Sequence, residues 1–96
     1  MSAPGVPLWT LPLGEALELR RRQGIETYRG GDENAPFVGN AAAEAYEEAL
    51  DVLVYAGEML RQGASPEAVR QVERLALALV SVLGAVLRAG TIPATR

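Results

Sequence analysis

The sequence predicts an all-α protein: a short first helix, then a long antiparallel helical hairpin, in a bundle that self-association completes. Three observations favour this class. Apolar residues recur at helical spacing over two long segments, 41–62 and 65–89. Only a short connection around Gly63 separates the two segments, so the helices must run antiparallel. The apolar run from Leu75 to Leu87 is too wide for one hairpin to cover, which favours a homodimer or a homotetramer.

The N-terminal part of the single predicted domain is a short helix between two irregular segments. Residues 1–12 contain three prolines and should form an extended arm. The first helix covers 13–23, because Gly24 followed by Ile25 is typical of a helix C-terminus. Residues 24–40 then form a loop rich in Gly, Asn and Asp, and a loop of this length in a small domain is usually functional.

The two long helices have sequence signals at both ends. Asn40 is a favourable N-cap for the second helix, and Gly63 is a favourable residue to end it. Ser65 should cap the third helix, with Pro66 at its first helical position. Residues 90–96 follow as a tail.

Composition restricts the chemistry that this protein can perform. The chain has neither cysteine nor histidine, which excludes disulfides, thiol chemistry, zinc sites built on these residues and any imidazole base. All nine basic residues are arginine, so a lysine nucleophile is excluded as well. Twelve acidic residues give a net charge of −3, whereas nucleic-acid binding normally requires a basic excess. We therefore expect no nucleic-acid partner.

The sequence also predicts a cytoplasmic protein. Its first residues lack the basic and continuously apolar regions of a signal peptide. The longest apolar run ends at Leu87 and is shorter than the roughly 20 residues that a membrane span requires. We therefore expect no membrane partner.

The second helix carries a stripe of acidic side chains. At 100° per residue, five acids occupy about 100° of its circumference: Glu44, Glu47, Glu48, Asp51 and Glu58. Like charges one turn apart destabilise a helix, and nothing within the helix offsets this. Three explanations are open: a solvated surface, pairing with the arginines of the first helix, or a divalent-cation site. The pattern EExxD suits the last, because Mg²⁺ prefers carboxylate and phosphate oxygens.

The segment EEALDVLVY resembles a motif of the MazG-like, all-α nucleoside triphosphate pyrophosphohydrolases. In that family, EExxE and ExxD motifs on neighbouring helices bind Mg²⁺, which positions the nucleotide phosphates for attack by water. Residues 20–60 are also similar to small proteins of phages and high-GC actinobacteria. The resemblance implies a helical bundle and a phage-encoded nucleotide pyrophosphohydrolase, and it leaves open whether the site is active.

The same resemblance implies a set of site residues. The Mg²⁺ ligands would be Glu47, Glu48 and Asp51, with Glu15 and Glu18 of the first helix as the second acid pair. The third helix departs from the family pattern, since its acids do not form ExxD. Four arginines would bind phosphate: Arg20, Arg21, Arg22 and Arg29. Two aromatic residues would contact the base: Tyr28 and Phe37. The resemblance assigns no catalytic residue.

An alternative from another class is a non-catalytic helical homo-oligomer that serves as a protein-interaction module or modulator. The apolar third helix and the proline-rich arm favour association in either case. A second copy of the chain is therefore the first expected partner, and a nucleotide is the second if the protein is an enzyme.

Overall fold

A computed structural model describes residues 5–90 of the chain. Its three α-helices are α1 (Leu13–Tyr28), α2 (Ala41–Arg61) and α3 (Pro66–Arg88). No strand occurs among the described residues, so the predicted all-α class is confirmed, with a shorter first helix and two longer ones that pack together. The chain divides into two compact units, of which the first ends at Val38 and the second begins at Gly39. The prediction of a single domain stays a prediction.

The described part of the N-terminal arm, residues 5–12, is not fully extended. It contains a turn of 3₁₀ helix at Leu8–Thr10. The amide and the hydroxyl of Thr10 both donate to the carbonyl oxygen of Pro7, at 3.1 and 2.6 Å. Residues 1–4 of the predicted arm and residues 91–96 of the predicted tail lie outside the described residues.

Helix α1 ends five residues later than the sequence signals predict. The helix continues through Gly24 to Tyr28, so the predicted boundary at residue 23 is wrong. A glycine inside a helix costs only about 1 kcal/mol relative to alanine, which the neighbouring helical turns can offset. The left-handed residue that ends the helix is Gly30, with φ of 61°, and the amide of Gly31 donates back to the Ile25 carbonyl oxygen at 2.9 Å.

The predicted ends of the hairpin helices are correct to within one residue. The Ala43 amide donates to the side chain of Asn40 at 3.1 Å, and the Ala68 amide donates to the Ser65 hydroxyl at 3.4 Å. At the end of α2, Gly63 adopts φ of 94° and the Ala64 amide donates to the Met59 carbonyl oxygen. This left-handed glycine cap turns the chain sharply, and only four residues separate α2 from α3.

The packing between α2 and α3 is built from small residues. The buried residues of α2 are Ala42, Ala49 and Ala56. Those of α3 are Val69, Ala76 and Gly84. A seven-residue step is close to two helical turns, so the three alanines form one line along α2. Because alanine extends little beyond the backbone, the two helices pack closely along this line.

Close packing leaves the large apolar residues at the sides of the hairpin. On α2, Val54 is 67% exposed and Tyr55 is 61% exposed in the single chain. On α3, Leu75 is 71% exposed. The fully buried residues of the hairpin are therefore mostly alanine, with Val69 as the one large side chain among them, and many of the leucines and valines are exposed or half-buried.

We predict that enlarging a buried alanine destabilises the hairpin. Ala56 is fully buried, so Ala56→Leu should lower the free energy of unfolding by about 1–3 kcal/mol through overpacking. The matched control is Ala78→Leu on the exposed surface of α3. This substitution should change the free energy of unfolding by less than about 0.5 kcal/mol. Urea denaturation followed by circular dichroism measures both. Equal effects at the two positions would contradict close packing at Ala56.

Candidate functional site

The predicted metal ligand Glu18 is bound by two arginines of its own helix. Its carboxylate accepts hydrogen bonds from Arg21 at 2.9 and 2.8 Å and from Arg22 at 3.0 Å. These hydrogen bonds, first from Arg21 and then from Arg22, lower the pKa of Glu18 to about 2. A cation at Glu18 would have to displace two guanidinium groups, whereas Glu15, in the first turn of α1, is exposed.

The four predicted phosphate-binding arginines all have partners within the N-terminal unit. Arg21 and Arg22 bind Glu18, and Arg21 also lies 3.6 Å from the Glu33 carboxylate. Arg20 donates to Gln23. Arg29 donates to the carbonyl oxygen of Ala35 at 2.7 Å. These contacts give each guanidinium a local structural role, and a phosphate would compete with them.

The loop after α1 is folded back on the end of that helix. The Val38 amide donates to the Tyr28 carbonyl oxygen at 2.9 Å, and Arg29 holds the loop backbone at Ala35. The rings of Tyr28 and Phe37 stack with centroids 4.8 Å apart and planes 19° apart. The two aromatic residues predicted to contact a base therefore pack on each other, an arrangement that favours a structural role in closing the loop.

The acidic stripe of α2 points away from α3. Its five acids are centred about 180° from the line of buried alanines. Glu47, Glu48 and Asp51 are exposed, and within the described part of the hairpin, residues 39–90, their carboxylates form no ion pair. Glu58 pairs with Arg61 one turn along α2. This geometry favours a solvated surface, and pairing with the α1 arginines stays a prediction.

The acids do not assemble a metal site in the single chain. Among residues 5–90, no three acidic side chains are grouped so that they could hold a metal ion. Adjacent residues on a helix point about 100° apart, so Glu47 and Glu48 diverge, and only Glu47 and Asp51 share a direction. In the single chain these acids therefore do not form the three-carboxylate group that the sequence pattern suggested, and Mg²⁺ binding stays a prediction.

Two largely apolar stripes lie beside the buried lines, and Glu48 is their one member among the site residues predicted from the sequence. The stripe on α2 steps by alternately four and three residues through Ala41, Ala45, Glu48, Val52, Tyr55 and Met59. The stripe on α3 has the same alternation through Ala68, Val72, Leu75, Leu79, Val82 and Val86. This heptad spacing is the one by which helices pack side by side. Counting these steps in the sequence would have revealed both stripes.

The two stripes lie on one side of the hairpin, which we name the seam face. On each helix, the stripe lies about 40° to 140° around the helix axis from the line of buried residues, in the same rotational sense. Because α2 and α3 run antiparallel, the two stripes therefore face the same side of the hairpin. The seam face includes the two most exposed large apolar residues of α3, Leu75 and Val82, at 71% and 61%. Its one charged residue is Glu48.

The other side of the hairpin, which we name the opposite face, is more polar on α3, whereas on α2 it carries Tyr46, Leu50 and Leu53. On α3 it carries four polar or charged residues: Arg70, Glu73, Ser81 and Arg88. Leu77 lies among them and is 57% exposed. The Arg88 guanidinium covers Gly84, where an added Cβ would lie 3.0 Å from Nη1. The apolar character of α3 is therefore concentrated on the seam face.

Known proteins do not identify the chain. Comparison with protein-family models, with curated proteins and with solved structures finds no match. Within residues 5–90, no helix combines the length and the apolar character that a membrane span needs.

We predict that the Glu18 carboxylate titrates with a pKa near 2. Because its pKa is lowered from 4.5, its contribution to stability is fully present above pH 4.5 and is lost as the pH falls through about 2. Carbon-detected NMR of the side-chain carboxyl measures the midpoint, and backbone shifts report the helicity of α1. Glu18→Gln should weaken α1 near pH 6, whereas the control Glu15→Gln should not. A midpoint near 4.5 would contradict the double arginine contact.

Proposed function

We propose that the protein is a helical interaction module that assembles with itself through its hairpin, and that it works in the cytoplasm. One observation carries the proposal: large apolar side chains cover the sides of α2 and α3. Four of them are more than 60% exposed: Val54, Tyr55, Leu75 and Val82. Three of them, Tyr55, Leu75 and Val82, lie on the seam face, and a concentration of exposed apolar side chains on one face of a small protein marks an interaction site.

The energetics of the hairpin support association. Burying one valine, leucine or isoleucine side chain contributes about 1.5–3 kcal/mol, but α2 and α3 bury mostly alanine against each other. A chain of 96 residues also buries a smaller fraction of its surface than a larger chain does. A partner that covers the exposed leucines and valines supplies the apolar burial that the hairpin interior lacks.

A second candidate is the Mg²⁺-dependent nucleotide pyrophosphohydrolase that the MazG-like resemblance implies. The observation that favours it is the pair Glu47 and Asp51, one turn apart, exposed and without an ion pair within the described hairpin. Two carboxylates in this position are compatible with a cation that also binds a phosphate. The phage origin implied by the same resemblance belongs to this candidate.

We predict that the protein is a stable homo-oligomer. Light scattering after size exclusion should give a mass of two or more chains at micromolar concentration. The mass should stay unchanged when NaCl is raised from about 0.1 to 1 M, because apolar contacts are not screened by salt. A monomeric mass at about 100 µM would refute self-association, and a salt-sensitive mass would refute its apolar origin.

The first candidate function predicts that Mg²⁺ does not bind the isolated protein, whereas the second candidate predicts that it does. Millimolar MgCl₂ should leave the melting temperature unchanged, with CaCl₂ as the control for nonspecific effects. Asp51→Asn should keep or slightly raise stability, since it removes a repulsion of a few tenths of a kcal/mol with Glu47. If Mg²⁺ instead raises the melting temperature, Asp51→Asn cancels that rise and nucleoside triphosphates are hydrolysed, the second candidate replaces the first.

A further inference from the structure

Resting on the proposed self-association, we infer that the partner is a second copy of this chain and that it docks on the seam face. Two hairpins joined in this way form a four-helix bundle. The opposite face remains outside the contact, as do all residues of the acidic stripe except Glu48.

The distribution of charge selects the seam face. On α3 its stripe contains no charged residue, whereas the opposite face would bury Arg70, Glu73 and Arg88. Burying unpaired charges costs several kcal/mol each. The outward side of α2 is excluded for the same reason, because two copies would bring Glu47, Asp51 and Glu58 together, whereas the seam face includes only Glu48 of the acidic stripe.

The spacing and size of the seam face fit a second hairpin. Both stripes have the heptad alternation that lets side chains of one helix fit between those of another. Helices of 21 and 23 residues make a face about 33 Å long and two helices wide, or roughly 700 Å² in projection. Specific interfaces bury about 800 Å² on each partner, so one hairpin covers another completely.

Glu48 is the one charged residue of the seam face and lies near the middle of the α2 stripe. A charge in an otherwise apolar seam weakens association and restricts which registers the helices can adopt. Its removal should therefore strengthen the dimer. This gives a test that does not depend on breaking the fold.

The first test compares matched variants on the two faces. Leu75→Glu and Leu77→Glu lie two residues apart on α3, one on the seam face and the other on the opposite face. Val82→Glu and Val54→Glu match in residue type and exposure, and Val54 lies outside the seam face. Sedimentation equilibrium should show the dimer Kd raised at least about 100-fold by Leu75→Glu and Val82→Glu, and less than about 3-fold by the controls.

The second test strengthens the dimer instead of breaking it. Glu48→Leu should lower the dimer Kd by about tenfold or more, while Glu47→Leu, the neighbour on the outward side of α2, should leave it unchanged. This comparison decides the matter even if Leu75→Glu and Val82→Glu unfold the chain.

The outcomes separate this inference from the proposed function. A wild-type chain that stays monomeric overturns the proposed self-association itself. If the wild-type chain is a dimer that Leu77→Glu or Val54→Glu dissociates but Leu75→Glu does not, self-association stands and only docking on the seam face is overturned. An equal decrease of the dimer Kd by Glu47→Leu and by Glu48→Leu also overturns docking on the seam face.

Discussion

The close packing of α2 on α3 determines the rest of the hairpin. Alanine at positions 42, 49 and 56 lets the two backbones approach, and no larger side chain fits along that line. Leucine, valine and tyrosine are therefore displaced to the sides, where they form surface instead of core. A hairpin of this kind gains precise geometry from its interior but obtains little hydrophobic stabilisation from it. The structure of the hairpin and the self-association proposed for it thus have the same cause.

The N-terminal unit is organised by a different interaction, the pairing of arginine with carboxylate and carbonyl oxygens. Glu18 binds Arg21 and Arg22 along α1, and Arg29 holds the loop that follows. Charged side chains that looked available for a ligand in the sequence are satisfied by their neighbours. Their exposure makes each contact individually weak, so they shape the local backbone more than they stabilise the unit.

Much of the fold could be predicted from the sequence, because its signals are local. Asn40, Gly63 and Ser65 mark helix ends through hydrogen bonds that reach only three to five residues, and each acts as expected. Gly24 misled the prediction because a glycine signals a helix end only when the backbone turns left-handed there. The arrangement of Glu47, Glu48 and Asp51 could not be judged from EExxD alone, since a metal site depends on which elements face the helix.

The exposed side chains of α3 have a consequence for the life of the protein in a cell. When covering them requires a second chain, the folded fraction depends on how many copies are present, by mass action. A chain released at low copy number keeps Leu75 and Val82 in water and is open to proteases and to wrong partners. The level of synthesis then becomes part of what determines the folded state, in addition to the sequence.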